Sequence, residues 1–201
     1  SGNKTTVNIT GGVSSDGVEI TTTASTTNVI DASAYLGTVT ITDRNAAAMT
    51  ITSNTGADTL RMENAADVLD GGSGTDTLNV VKTLVLGGIE VDLTSTTDQI
   101  TTFNGASNSG VQKGFENVDL SGVGGSFGAS ITAKATGSTI TGTKNADTIT
   151  LGSSTTVKDD IHFDGGLESS ANKNDKVDII SNFTAGSSKD QMDIDISELE
   201  T

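Results

Sequence analysis

The chain has 201 residues, with 24 glycines and no cysteine, proline or tryptophan. Its formal net charge of −15 argues against nucleic acid as a partner and favours divalent cations. The lack of cysteine excludes a disulfide framework, and no run of about 18 apolar residues predicts a transmembrane helix. With 33% apolar and 3% aromatic residues, the composition suits a narrow solenoid better than a thick globular core.

A regular series of apolar side chains runs through residues 1–80. Its members recur every 9 to 11 residues: Ile9, Ile20, Ile30, Ile41, Ile51, Leu60, Leu69 and Leu78. Threonine, valine and isoleucine, which favour strands, surround them. One apolar residue at a nearly fixed interval is typical of strands stacked along one core. We therefore predict an all-β fold, a parallel β-roll or β-helix solenoid.

Aspartate enters the same register late in this segment. Asp58, Asp67 and Asp76 lie nine residues apart, and each is followed two positions later by a leucine of the series. Because side chains alternate along a strand, each aspartate and its leucine start from one face, the aspartate at the turn and the leucine in the core. Stacked turns of a roll are two repeats apart, so Asp58 and Asp76 should share an edge, with Asp67 on the opposite edge.

The third copy has the most glycine-rich turn. Residues 71–76 read Gly-Gly-Ser-Gly-Thr-Asp, whereas the first two copies keep one glycine and none. Glycine turns can aim carbonyl oxygens at one point and aspartate adds a carboxylate, which together suit a hard cation such as Ca²⁺. We expect one or two calcium ions here, the alternative being that these residues only make turns. The predicted ligands are Asn54, Gly56, Asp58, Asp67, Asp70, Gly71, Gly72, Gly74 and Asp76.

Residues 81–128 interrupt the repeat. Residues 84–93 are typical of strands around a glycine turn, and residues 94–110 are polar enough to form a protruding loop. Residues 114–122, Gly-Phe-Glu-Asn-Val-Asp-Leu-Ser-Gly, follow the alternation of a half-buried strand.

The nine-residue period resumes in residues 129–201, which we predict to be a second β-roll segment. Its apolar members are Ile131, Ile140 and Ile149. The Asp-Gly-Gly of residues 164–166 repeats that of residues 70–72, which predicts a second calcium region with plain turns as the alternative. Its predicted ligands are Asp147, Asp160, Asp164, Gly165 and Asp175. Further on, Ile180, Phe183, Met192 and Ile194 are expected to cap the last turn.

Residues 71–79 resemble the nonapeptide of the RTX family, whose repeats build calcium-loaded parallel β-rolls in bacterial proteins exported by type I systems. Residues 114–122 are loosely similar to segments that recur between repeats in surface-layer and other large type I secreted proteins. Residues 145–197 are also loosely similar to the family, and within them residues 175–197 resemble the segment that closes many RTX rolls. Asn182 departs from the pattern, because aspartate is frequent there. The resemblance implies a calcium-binding structural domain at the bacterial cell surface that self-associates into a lattice or oligomer, with cell-surface polysaccharide as a further candidate partner. The alternative is the C-terminal folding and export module of a secreted adhesin, protease or lipase.

The sequence predicts no enzyme. His162 is the only histidine, and no Gly-x-Ser-x-Gly or paired-histidine zinc motif accompanies it. A polysaccharide-cleaving β-helix is a third possibility, but Tyr35 and five phenylalanines offer few aromatic platforms for sugar rings.

Overall fold

The computed structural model describes residues 5–22, 28–44, 47–154, 156–163, 178–185 and 189–194, and these form strands without a helix. In chain order the strands are β1 (Thr5–Gly11), β2 (Gly17–Thr22), β3 (Asn28–Tyr35), β4 (Thr38–Asp43), β5 (Thr50–Thr52), β6 (Thr59–Met62), β7 (Val68–Asp70), β8 (Thr77–Val80), β9 (Lys82–Leu84), β10 (Ile89–Asp92), β11 (Ile100–Phe103), β12 (Ala106–Ser107), β13 (Val111–Lys113), β14 (Asn117–Asp119), β15 (Val123–Gly125), β16 (Ala129–Thr132), β17 (Thr139–Thr141), β18 (Thr148–Thr150), β19 (Asp160–Phe163), β20 (Ile179–Ser181) and β21 (Gln191–Ile194). Within these residues only the two pairings of β11 are antiparallel. The prediction of an all-β, mainly parallel fold is confirmed.

Strands β1 to β8 alternate between two sheets. The largest sheet has the order β2-β4-β6-β8-β14-β17-β19-β21. The other strands form a five-stranded sheet, β1-β3-β5-β7-β13, a six-stranded sheet, β12-β11-β10-β16-β18-β20, and a two-stranded sheet, β15-β9. Backbone hydrogen bonds join the five-stranded and six-stranded sheets at Gln99, whose N–H donates to Gln112 O (2.6 Å) and whose carbonyl accepts from Asp92 N (2.8 Å). This alternation is compatible with a two-faced β-roll.

The apolar series forms the core between the sheets. From Ile30 onward its members are at most 2% exposed: Ile30, Ile41, Ile51, Leu60, Leu69, Leu78, Ile131, Ile140 and Ile149. Strand register keeps them opposite one another, as in the pairing of Leu60 with Leu78 and of Leu78 with Val118. Ile9 and Ile20 are only partly buried, because β1 and β2 are the edge strands of their sheets.

The segment 81–128 contributes strands to the sheets on both sides of it. β13 pairs with β7, and β14 lies between β8 and β17. Residues 94–110, expected as a protruding loop, contain β11 and β12, which extend the sheet of β10 as an antiparallel hairpin. Buried Ile100 and Phe103 anchor this hairpin to the core.

At the C-terminal end, β20 and β21 are the last strands of their sheets. Ile180 packs against the core, whereas Phe183 and Met192 are each 40% exposed. The side chain of Ile194, also predicted to be part of the cap, lies outside the described residues. No helix in the described part of the chain is long and apolar enough to span a membrane.

Candidate metal centre

The aspartates of the repeat share one structural position, directly before a strand. Asp58, Asp76 and Asp159 precede β6, β8 and β19 in the eight-stranded sheet, and Asp67 and Asp147 precede β7 and β18 on the other side. All five are at most 2% exposed. The carboxylates therefore lie where each turn enters the core.

One oxygen of each carboxylate accepts a backbone N–H from the neighbouring stacked turn. The bonds are Val39 N to Asp58 Oδ1 (2.7 Å), Asp58 N to Asp76 Oδ1 (2.8 Å), Met49 N to Asp67 Oδ1 (2.9 Å), Ala129 N to Asp147 Oδ1 (2.7 Å) and Ser138 N to Asp159 Oδ1 (2.7 Å). Asp58 and Asp76 thus lie in adjacent turns of one edge, as the eighteen-residue spacing predicts. Each carboxylate satisfies a donor that would otherwise be buried without a partner.

The second oxygen is satisfied within the same turn in four of the five cases. Asp58 Oδ2 accepts from Ser53 Oγ and Asn54 N, Asp67 Oδ2 from Glu63 N and Asn64 N, Asp147 Oδ2 from Thr143 N, and Asp159 Oδ2 from Gly152 N. Asp76 is the exception among these five. It is 0% exposed, and its Oδ2 has no hydrogen-bond partner among the residues that the structure describes.

The glycine turn explains why Asp76 Oδ2 is left without a donor. Gly71 and Gly72 hold the positions that Ser53 and Asn54 hold relative to Asp58. The Gly71 N–H instead donates to Lys113 O (3.0 Å). Gly72 has φ +87°, and its N–H donates to Asp70 Oδ1 (3.1 Å). Both amides are therefore directed away from the Asp76 carboxylate.

Absence of side chains lets this turn pack closely on its neighbours. A Cβ at Gly72 would lie 2.0 Å from Asn54 O, and one at Gly74 would lie 2.0 Å from Gly56 O. A Cβ at Gly71 would lie 2.5 Å from Gly114 O and 3.0 Å from Asp76 Oδ2. Backbone carbonyls of the two neighbouring turns, one containing Asn54 and Gly56 and the other Gly114, therefore lie directly against the glycine turn of Asp76.

Two further charged groups, neither of them among the predicted ligands, lie near Asp76. Glu116 Oε2 accepts the Asp76 N–H (2.9 Å), and Glu116 Oε1 accepts from Lys134 Nζ (2.5 Å). Glu116 stands directly before β14 and two residues before the buried Val118, the spacing that relates Asp76 to Leu78. An acid two residues before a buried apolar residue was therefore the sequence signal that could have identified Glu116 as part of the site.

Burial raises the pKa of aspartates on both edges. It raises the pKa of the Asp76 carboxyl to about 7, and the neighbouring carboxylates of Asp58 and Glu116 act in the same direction. Burial also raises the pKa of Asp67 and of Asp147 to about 6. A buried carboxylate oxygen with no donor is costly, and binding a proton or a cation removes that cost.

The remaining predicted ligands have different surroundings. Asn54 is engaged within the protein, donating from Nδ2 to Gly37 O (3.0 Å) and accepting the Gly56 N–H at Oδ1 (2.6 Å). Asp70 pairs with Lys113 and Asp160 with Lys158, at 2.9 and 2.8 Å. Asp164, Gly165 and Asp175 lie outside the described residues.

The donor set restricts how a metal ion could be held. No group of three or more His, Cys, Asp or Glu side chains is arranged to hold a metal among the residues that the structure describes. A calcium ion at Asp76 would need backbone carbonyls and water as its other ligands, which its preference for oxygen allows. The unpartnered Asp76 Oδ2 and the closely stacked glycine turns fit that requirement. No family model, curated protein or solved structure matches the chain.

Proposed function

We propose that this chain is a calcium-binding structural domain of a type I secreted bacterial surface-layer protein, a β-roll that folds and assembles outside the cell when Ca²⁺ binds. The observation that carries the proposal is the buried Asp76 carboxylate. Its Oδ2 has no donor in the described part of the chain, whereas the equivalent oxygens of the four other buried repeat aspartates are hydrogen-bonded. It also lies in the turn whose sequence resembles the RTX nonapeptide most fully.

The charge of the chain provides the dependence on calcium. Asp58, Asp76 and Glu116 lie along one edge within a chain of net charge −15, so their mutual repulsion opposes folding when no cation is bound. A bound calcium ion supplies positive charge and accepts oxygen ligands from more than one turn. Asp76 Oδ2 and the carbonyls of Gly56 and its neighbours are the ligands that we assign. At about 100 times its Kd, a ligand adds about 2.7 kcal/mol to the stability.

The calcium requirement is tested on the whole chain. Far-ultraviolet circular dichroism and thermal unfolding are measured with CaCl₂, with MgCl₂ at the same ionic strength, and with chelator. We expect strand content or unfolding temperature to rise with Ca²⁺, with a midpoint near 10⁻⁴ to 10⁻³ M, the range of extracellular calcium modules. Equal curves in calcium and magnesium would mean that nonspecific screening is responsible, and unchanged curves in both would reject the proposal.

Self-association separates the surface-layer proposal from the export-module alternative. A surface-layer domain should form oligomers or ordered sheets when calcium is added, because lattice contacts are its function. An export module should remain monomeric at the same calcium concentration. Sedimentation velocity and electron microscopy of the calcium-loaded chain distinguish the two, and a monomer at every protein concentration tested would favour the export module.

A further inference from the structure

We propose that Lys134 is an internal counter-cation of the Asp76 site, and that its ammonium group weakens the affinity of this site for divalent cations. The inference rests on the proposed calcium function and concerns how the affinity of that site is set. It comes from an ion pair that lies outside the nonapeptide repeat and connects to Asp76 through a single residue.

Lys134 lies at the point where the column of acids is interrupted. Along one edge of the eight-stranded sheet, the positions directly before β6, β8 and β14 hold Asp58, Asp76 and Glu116. The next position, before β17, holds Ser138. Lys134 belongs to this same turn, since its N–H donates to Ser138 Oγ (3.1 Å), and its Nζ contacts Glu116 Oε1 at 2.5 Å. The positive charge of Lys134 therefore lies in the turn next to Glu116, where Ser138 takes the position that an acid holds in the three preceding turns.

Only one residue, Glu116, lies between Lys134 and Asp76 in the chain of contacts. Glu116 is held on one oxygen by Lys134 Nζ and on the other by the Asp76 N–H (2.9 Å). Of the four Lys or Arg ion pairs in the described residues, only this one contains a carboxylate bonded to Asp76. The side chains of Lys134 and Glu116 are 25% and 22% exposed, so solvent and salt screen their charges less than they screen a surface pair.

The backbone of Lys134 is held firmly in this place. A Cβ at Gly152 would lie 2.4 Å from Lys134 O, so the following turn packs directly against it. The stack of turns therefore places the backbone of Lys134, and the ion pair with Glu116 places its ammonium group. In the metal-free protein it neutralises part of the carboxylate charge that a divalent cation would otherwise neutralise, which lowers the gain from binding one.

The test compares Lys134→Met with Lys158→Met in the whole chain. Both substitutions change the net charge from −15 to −16, and Lys158 also pairs with a carboxylate of a strand in the eight-stranded sheet, Asp160. The calcium midpoint of thermal unfolding is measured at a fixed ionic strength. We expect Lys134→Met to lower the midpoint about three- to tenfold, the range expected for a partly buried ion pair, and Lys158→Met to change it by less than about twofold.

A second variant keeps the test decisive if a methionine at position 134 prevents folding. Lys134→Gln removes the charge and retains polarity, and it should lower the midpoint in the same direction. In a Glu116→Gln background the effect of Lys134→Met should fall below about twofold, because the carboxylate through which it acts is gone.

The outcomes separate this inference from the proposed function. If the wild-type chain responds to calcium and Lys134→Met behaves like Lys158→Met, Lys134 acts only through net charge and the inference is wrong. A higher midpoint for both position-134 variants would also reject it, since Lys134 would then support the site. If the wild-type chain does not respond to calcium, the proposed function fails and the inference fails with it.

Discussion

The raised pKa values of the buried aspartates predict that the metal-free protein becomes more stable as the pH falls from 8 to 5. Each of these carboxyls has a pKa in the folded state above its ordinary value of 3.8. Its contribution to stability is fully present below pH 3.8, and it is lost as the pH rises through the folded-state pKa. For Asp76, with a pKa of about 7, the gain between pH 8 and pH 5 is about 3 kcal/mol. Asp67 and Asp147, with pKa values of about 6, add about 1 kcal/mol each.

The perturbation that isolates Asp76 is Asp76→Asn, which removes the charge and keeps the size of the side chain. In chelator the variant should lose the contribution of Asp76, about 3 kcal/mol, which is the largest that any one of these three aspartates makes to the stability gained between pH 8 and pH 5. At pH 8 in chelator it should be at least as stable as the wild type, because no ionised carboxylate is buried without a donor. In saturating calcium the order should reverse, since the variant has lost the ligand.

Urea unfolding followed by circular dichroism at pH 5, 6, 7 and 8 measures these differences, with and without calcium. Asp16→Asn is the matched control. It removes the same charge from an exposed turn, where Asp16 Oδ2 accepts the Val13 N–H (2.9 Å). The reasoning is refuted if the metal-free wild type loses stability toward pH 5, or if Asp76→Asn keeps the full pH dependence.

Two other substitutions test the turn and the site separately. Gly74→Ala should destabilise the protein by about 2 kcal/mol or more, because Gly74 has φ +137° and the new Cβ would meet Gly56 O. Gly124→Ala is its control and should cost less than about 1 kcal/mol, since its Cβ would meet only Thr83 Oγ1 at 3.7 Å. Chemical denaturation measures both, and equal costs would show that close stacking at Gly74 is unimportant. Asp76→Ala should raise the calcium midpoint of folding more than Asp16→Ala does. Equal shifts in that titration would assign the calcium response to net charge alone.

Much of the fold could be predicted from the spacing of side chains. The 9- to 11-residue apolar series specified which residues enter the core, and stacking of strands followed from it, because parallel strands that bury one row must stay in register. The pairing of Asp58 with Asp76 came from the same arithmetic. These inferences succeed because the repeats that stack on one another are also close to one another in sequence.

The parts of the site that the sequence could not predict depend on contacts between residues far apart in the chain. The turn that stacks next to that of Asp76 on the same edge contains Glu116, which lies forty residues later in the chain. Residues 81–113 separate the two turns in sequence. A local pattern cannot indicate which segment resumes the stack after such an insertion. Lys134 was missed for the same reason, since only the stacking of its turn brings it to Glu116. Residues 94–110 were predicted from polarity as a loop, although Ile100 and Phe103 already carried the signal of buried strand positions.

The two interpretations of the aspartate repeat, turn former and calcium ligand, apply to different residues of one architecture. In the earlier turns Val39 and Met49 hold the position two residues before the core isoleucine, and their N–H groups donate to Asp58 and Asp67. In later turns Asp58, Asp67, Asp76, Asp147 and Asp159 hold this position and join their turns to the neighbouring ones, whereas Ala129 and Ser138 interrupt the series. Donors from the described residues satisfy both oxygens of each of these aspartates except Asp76. An acid whose oxygens are both satisfied gains little from a cation, because binding would replace existing hydrogen bonds. The dependence on calcium should therefore be concentrated at the turn of Asp76, where glycines have directed the backbone donors elsewhere.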